Sequence, residues 1–148
     1  MRTKDPKLVA IFNRFNLKVY SATLKGMQEL EVPELPFKKH NRHEKHEGSY
    51  HKQSDQASKF DPHTSPEDIE YHDGARIVSH HLEEVLKNDS KWKELIIICD
   101  PKMLGHFRQL ACQKIQNIIT HTIAKNLINN KIDDIKHAVM ETAFAYAH

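Results

Sequence analysis

The sequence predicts a single α/β domain over residues 1–148, built on a five-stranded mixed sheet with about three helices. Three observations support this fold class. Short β-type runs separated by turn residues fill residues 8–32, a capped and periodic helix begins at Ser65, and a continuous apolar run at 94–100 is typical of a strand covered on both faces. A chain of 148 residues is long enough to bury one core of this kind.

The first three strands are predicted at residues 8–12, 17–22 and 27–32, where apolar runs or period-two alternation occur between turn residues. Their short connections make them an antiparallel meander. The first of them is an exposed edge of the sheet if no other element covers it. Pro33 and Pro36 then end the regular structure, because proline has no backbone N–H to donate.

Helices and strands alternate in the C-terminal half. Ser65-Pro66-Glu67-Asp68 supplies a capping hydroxyl, a proline at the first helical position and an acid at the third, so a helix begins here and ends near Asn88. Pro101 opens a second helix, residues 118–123 form the fifth strand, and Asp133 or its neighbour caps a closing helix. The last two strands are joined by a crossover helix, so we expect them to be parallel.

Composition favours a cytoplasmic protein that does not insert into a membrane. Charged residues make up 28% of the chain and hydrophobic residues 39%, and no apolar run is long enough to span a bilayer. The N-terminal residues lack the apolar core of a secretory signal. Cys99 and Cys112, each in an apolar context, are interpreted as buried free thiols of a reducing compartment. These features leave the oligomeric state open.

Residues 37–64 form a long polar loop in this prediction, without periodicity and with a basic character. Its six cationic residues, against four acids, are Lys38, Lys39, Arg42, Lys45, Lys52 and Lys59. A connection of this length inside a small domain is typical of a functional loop or of a disordered one. Because Tyr50 and Phe60 accompany the cations, the loop fits contact with an RNA backbone, although an ordinary solvated insertion has the same composition.

The same loop contains His40, His43 and His46 at spacings of three, which on a helix would direct three nitrogen donors to one side. However, the region has no cysteine, no HExxH pattern and no apolar face to hold the ligands rigid. We therefore expect a solvated loop without a physiological metal, and no cofactor.

Residues 100–105 lie where the buried strand passes into the second helix, a place where ligand sites gather in open α/β sheets. One glycine does not make a phosphate-binding loop, and Pro101 removes an amide that an anion would need. We interpret the stretch as a helix start, with Gly105 permitting close packing. Neither Cys99 nor any serine lies in a nucleophile elbow, and residues 8–12 carry no acid for a two-metal nuclease.

Residues 95–108 resemble a strand-and-helix element of the bacterial host attachment protein family, whose members are required for attachment to host cells. The family's Leu-Gly-x-Leu-Arg element corresponds here to Leu104, Gly105, Phe107 and Arg108, with phenylalanine replacing leucine. Its Lys-Asp-Leu element is similar to Lys125, Asn126 and Leu127, departing at the asparagine. The layout agrees over the whole chain, whereas the likeness of individual residues is specific from about 95 to 137.

The family in turn resembles the middle domain of archaeal and eukaryotic peptide-chain release factors, which has a ribonuclease H-like mixed sheet. In those factors a loop before the first long helix carries a Gly-Gly-Gln tripeptide that enters the peptidyl-transferase centre. The corresponding loop here offers Gln53 and Gln56, but no glycine pair precedes either glutamine. The resemblance thus implies the ribosome or tRNA as partner, while the missing glycines argue against peptidyl-tRNA hydrolysis.

Two hypotheses follow for the function. The first is a non-catalytic module that contacts ribosomal or transfer RNA through the basic loop. The second is a protein-interaction domain that supports attachment indirectly, with the same loop as its partner-binding element. Ester hydrolysis by Gln53 or Gln56 is a third alternative.

Overall fold

Five strands and four helices are formed by residues 5–37 and 65–144, the part of the chain that the computed structural model describes. The strands are β1 (Lys7–Phe12), β2 (Leu17–Thr23), β3 (Gly26–Leu30), β4 (Leu95–Cys99) and β5 (Ile119–Ala124). The helices are α1 (Pro66–Asn88), α2 (Pro101–Leu110), α3 (Gln113–Ile118) and α4 (Ile132–Ala143).

The strands form one mixed sheet in the order β3-β2-β1-β4-β5. β1–β2 and β2–β3 are antiparallel, while β1–β4 and β4–β5 are parallel, which confirms the predicted meander with two added parallel strands. β1 lies at the centre of the sheet because β4 pairs along its second edge. All six of its residues are buried, which requires that both faces of the sheet are covered at this strand.

Helices cover both faces of the sheet. On one face, α1 and α2 pack on a core cluster that includes Phe12, Leu82 and Phe107, and the phenylalanine rings lie 5.2 Å apart. On the other face, α4 contributes Ile135 and Val139 to a second cluster. This three-layer arrangement leaves the ends of the strands as the places where polar residues from several elements meet.

Helix α1 begins as the sequence predicts. The backbone N–H of Asp68 donates to Ser65 Oγ at 3.1 Å, and Pro66 occupies the first turn. Gly74 determines how closely this helix approaches the sheet, because a Cβ atom there would lie 2.7 Å from the backbone oxygen of Arg14. The helix therefore contacts the β1–β2 turn directly.

Helix α3 is a correction, since the prediction counted about three helices and the described residues form four. The fifth strand was predicted to begin at residue 118, but Ile118 is the last residue of a helix, Gln113–Ile118, for which no helix was predicted. The side-chain amide of Gln116 donates to the backbone oxygen of Ala111 at 2.7 Å and to that of Arg108 at 3.3 Å, and Ile115 is fully buried. These contacts with residues outside the segment stabilise the short helix.

Three smaller expectations were also wrong. Helix α4 begins at Ile132 after Lys131, without a side-chain cap, so Asp133 lies in the first turn instead of capping it. A Cβ atom at Gly105 would meet no described atom within 4 Å, because this glycine lies on the exposed side of α2 and not at a close contact. Of the two free cysteines, Cys99 is buried but Cys112 is only half-buried.

Candidate interaction site

The loop residues singled out by the sequence lie outside the described residues. These are the cations Lys38, Lys39, Arg42, Lys45, Lys52 and Lys59, the glutamines Gln53 and Gln56, and the histidines His40, His43 and His46. The structure does describe the two residues that flank this segment, Phe37 and Ser65. The surroundings of these two residues define the candidate site.

Both flanking residues lie near one turn, residues 13–16, which connects β1 to β2. The side-chain oxygen of Asn13 accepts from the backbone N–H groups of Phe15 and Asn16, each at 2.8 Å, and fixes this turn. Phe37 lines a cavity of about 230 Å³ together with Phe15 and Asn16. Since the first turns of α1 contact Arg14 of the same turn, the chain leaves and re-enters the described fold at one end of the sheet.

We call this end the carboxyl edge, because the parallel strands β1, β4 and β5 all end there. Asn13, Asp100 and Lys125 follow the three strands. Asp100 caps α2, since its Oδ1 accepts from the backbone N–H of Met103 at 2.8 Å. The carboxyl edge is thus the part of an open α/β sheet at which ligand sites usually form.

Arg14 joins the turn to α1. Its Nη1 lies 3.2 Å from both Glu67 Oε2 and Glu70 Oε1, and its guanidinium carbon lies 5.0 Å from the centre of the Tyr71 ring. Glu70 is buried, whereas the Glu67 side chain is half exposed. The buried contact is the stronger of the two, because less water competes for the charges.

Lys102 joins α2 to the same turn of α1. Its Nζ lies 2.7 Å from Asp68 Oδ1 and 3.7 Å from Glu67 Oε1, and 5.0 Å from the centre of the Tyr71 ring. The hydrogen bond from Lys102 lowers the pKa of Asp68, and the same bond raises the pKa of Lys102. Tyr71 therefore contacts a cation from each of two elements.

Two histidines complete the group. The His106 ring stacks on Tyr71 at 5.8 Å with 9° between the planes, and the edge of His72 faces it at 6.4 Å. Burial, followed by the neighbouring His72, lowers the pKa of His106. Burial and then the Asp100 carboxylate raise the pKa of Tyr71. The Arg14–Tyr71–Lys102 cluster, as we call this group, links the turn, α1 and α2.

The contacts of this cluster hold the 13–16 turn, α1 and α2 together. Among the described residues, no group of three or more His, Cys, Asp or Glu side chains is placed to hold a metal ion. Burial raises the pKa of the Cys99 thiol far above its usual range, so it stays neutral and unreactive. The sequence analysis missed Arg14, Tyr71 and Lys102 because they are far apart in the chain; a cation within three residues after the end of each of β1 and β4 was the available signal.

The family-motif residues divide into two groups. Leu104 packs in the core under α1 and α2, and Leu127 packs against the core under α4. Gly105, Arg108 and Lys125 are exposed, and Arg108 Nη2 donates to Thr122 Oγ1 at 3.5 Å, linking α2 to β5. The motif therefore contains two residues that pack in the core, Leu104 and Leu127, and two exposed basic residues on the β5 side of the sheet, Arg108 and Lys125.

Comparison with known proteins gives two findings. Residues 8–139 match a protein family described as "protein required for attachment to host cells". The chain is also 38% identical over 138 residues to an uncharacterized protein of Rickettsia prowazekii (strain Madrid E), covering 90% of this chain and 91% of that protein. In the part of the chain that the structure describes, no helix is both long and apolar enough to cross a membrane.

Proposed function

The chain belongs to the family of proteins required for attachment to host cells, and from this premise we propose that it is a non-catalytic, cytoplasmic module that contacts ribosomal or transfer RNA. The proposed contact residues are the basic side chains between 38 and 64. A ribonuclease H-like sheet of the release-factor type is part of the same proposal.

The unequal distribution of charge is the observation that carries this proposal. Residues 38–64 hold six Lys and Arg against four Asp and Glu, with five histidines in addition. Residues 5–37 and 65–144 hold fourteen Lys and Arg against sixteen Asp and Glu. A polyanion is therefore attracted to the segment and slightly repelled by the rest, so that contact is directed to one part of the chain.

The Arg14–Tyr71–Lys102 cluster at the carboxyl edge also supports the proposal, because it fixes the positions from which the segment leaves the described fold. Phe37 packs beside the 13–16 turn, and the turn itself is tied to α1 by Arg14 and, through Tyr71, to α2 by Lys102. Both attachment points of the segment are thus fixed to the same rigid edge. Because carboxylates already engage Arg14 and Lys102, these two cations compete less with the segment for phosphate groups.

Salt-dependent RNA binding tests the proposal. We expect the protein to co-sediment with ribosomes at low salt and to bind labelled tRNA by fluorescence anisotropy. Replacing Lys38, Lys39, Arg42, Lys45 and Lys52 by alanine should lower the log-log salt slope by about one unit for each phosphate that is no longer neutralised. The control variant replaces five exposed lysines of the described fold by alanine: Lys25, Lys87, Lys93, Lys114 and Lys131. Absent binding at low salt, or an equal decrease in both variants, contradicts the proposal.

Protein recognition through the same segment is the alternative, and it is separable by experiment. It predicts one defined protein partner that is captured by the full-length chain, is resistant to ribonuclease and is no longer captured when residues 38–64 are deleted. Ester hydrolysis requires Gln53 or Gln56. If the Gln53→Ala plus Gln56→Ala variant released peptide from peptidyl-tRNA like the wild type, those glutamines would have no catalytic role.

A further inference from the structure

The strand β3 forms an open edge of the sheet. Among the described strands it pairs with β2 alone, and Glu29 near its end is exposed. Thr23 and Gly26 close the β2–β3 hairpin on either side of the two-residue turn at 24–25. Because the direction of the backbone groups alternates along a strand, the N–H and C=O groups of Met27 and Glu29 are directed away from β2. This edge can therefore pair with one more strand.

The charges along the β3 edge are ordered by sign. Lys25 lies in the turn before β3, and the ammonium group of Lys136 on α4 lies beside Gly26, 3.7 Å from the position that a Cβ atom there would take. Glu29 lies near the other end of the strand, and Glu31 follows that end directly. Within the described residues, no ion pair engages any of these four charged side chains. The edge is thus positive where β3 begins and negative where it ends.

Glu29 and Lys136 lie on the same face of the sheet, the one that α4 covers. Glu29 pairs across the hairpin with Tyr20, which belongs to the core cluster under α4. Burial and then the Glu29 carboxylate raise the pKa of Tyr20, as expected for neighbours on one face. Lys136 reaches β3 from α4 and therefore from this face too. On the other face, side chains of both signs, Arg76 and Glu84, line the cavity beside α1, so neither charge prevails there.

We propose that the β3 edge pairs with the β3 edge of a second copy of this chain, antiparallel and about a twofold axis at Gln28. The two sheets then become one continuous sheet. In this register Met27 lies opposite the partner's Glu29, and the outward backbone groups of these two residues bond to each other. Gly26 lies opposite the partner's Leu30. This interface uses neither residues 38–64 nor RNA.

Charge complementarity identifies the second copy as the occupant of the edge. A twofold axis places the positive start of each β3 beside the negative end of the other. Lys25 then lies beside the partner's Glu31, and Lys136 lies beside the partner's Glu29. Opposite charges that face each other across two strands stabilise their pairing. Because the axis repeats both contacts, each of them is made twice in the dimer.

The positions of other residues favour the register centred on Gln28. Leu24 in the turn is 51% exposed, and this register places it next to the partner's Val32, which is only partly buried in the single chain. A register centred on Glu29 would set two carboxylates opposite each other, which is unfavourable. A register centred on Met27 would leave Leu30 outside the pairing. The proposed register thus pairs the whole of β3 and leaves neither β3 edge open.

Sedimentation equilibrium of the full-length chain tests the proposal. We expect a monomer–dimer equilibrium without larger species. Glu29→Lys should weaken the dimer about tenfold, because it sets a like charge beside Lys136 on both sides of the axis. Lys136→Glu should weaken it similarly, and combining the two changes should restore most of the affinity, because the opposite charges face each other again. The control Asp134→Lys makes the same charge change at another exposed carboxylate, on α4, and should leave the affinity within about twofold.

Cysteine cross-linking measures the register. In a Cys112→Ser background, Gln28→Cys places two thiols opposite each other at the axis. The Cα atoms of such a non-hydrogen-bonded pair lie about 4.5 Å apart, which is within the range of a disulfide. We expect mild oxidation to convert Gln28→Cys into a covalent dimer, whereas Gln109→Cys, at an exposed position of α2, should stay monomeric.

Four results would each overturn the proposal. These are a monomer at every concentration, assembly beyond the dimer, equal cross-linking of the two cysteine variants, and an unchanged dimer affinity in Glu29→Lys. Thermal unfolding of each variant verifies that the fold is intact.

Discussion

Opposite ends of the sheet join neighbouring elements by different kinds of electrostatic contact. At the amino end, where β1 and β4 begin, Lys7 Nζ lies 2.7 Å from Glu94 Oε1, and the two side chains are 10% and 26% exposed. The ring of Phe144 lies 5.3 Å from the same ammonium group. At the carboxyl edge, two cations are shared among three carboxylates, and most of these side chains are much more exposed.

The difference indicates two separate roles. A largely buried ion pair at the start of two adjacent parallel strands contributes to the stability of the sheet, because removing one partner leaves a charge in a place that water reaches poorly. Exposed pairs contribute little energy each, but a network that joins three elements restricts how they are oriented. The amino end thus supports the fold, whereas the carboxyl edge sets the geometry from which residues 38–64 depart.

The largest effect on stability is expected from a substitution at Gly74. This substitution tests the packing at the carboxyl edge separately from its ion pairs. In Gly74→Ala the new methyl group meets the backbone oxygen of Arg14, and this oxygen cannot move as a side chain would. We expect a decrease of about 2–3 kcal/mol in the free energy of unfolding, measured by urea denaturation. Gly105→Ala is the control on an exposed helix surface and should stabilise by about 0.5–1 kcal/mol. Equal effects of the two changes would disprove the close contact.

A smaller effect is expected at the amino end. Glu94→Gln leaves the Lys7 ammonium group without its carboxylate partner, and since Glu94 is partly solvated we expect a decrease of about 1–2 kcal/mol in the free energy of unfolding. The double change Lys7→Met plus Glu94→Leu removes both charges and should recover most of this decrease. Urea denaturation of the two variants measures the difference. A double variant no more stable than Glu94→Gln would show that the amino end depends on packing alone.

The smallest expected effect is a dependence of stability on pH. Burial lowers the pKa of both His81 and His106 in the folded chain below the ordinary value of 6.5. The unfolded chain therefore binds more protons, so the free energy of unfolding should fall as the pH drops below about 6.5. His106→Phe keeps a ring against Tyr71 and should make this dependence shallower. Denaturation at pH 7.5 and 5.5 measures it, and an equally steep dependence in His106→Phe would contradict the role of His106.

Local signals explain why most of the fold could be predicted from the sequence. Ser65 and Asp100 cap their helices through hydrogen bonds to residues three positions away, so the pattern is visible in the chain. Helix α3 was missed because its decisive contacts, from the Gln116 amide, reach backbone oxygens outside the helix. The sequence singled out Gly105 for close packing, yet Gly74 has that role, because which helix face meets the β1–β2 turn is a tertiary property.

The candidate site was less predictable for the same reason. Arg14, Tyr71 and Lys102 come from three separate parts of the chain, and no spacing relates them. Charge composition could indicate a basic segment, but it could not show that Arg14 and Lys102 meet carboxylates of the same helix, α1.

The central position of β1 has a consequence for folding during synthesis. One edge of this strand pairs with β2, which follows it immediately, while the other edge pairs with β4, which the ribosome produces only after α1. Until then the nascent meander has an apolar, unpaired strand at its margin. An unpaired apolar strand can pair with strands of other chains, which leads to aggregation. The parallel pairing with β4 that protects β1 forms slowly, because the two strands are far apart in the sequence. We therefore expect premature termination before Leu95 to yield aggregates, and the speed of translation through α1 to affect the yield of native protein.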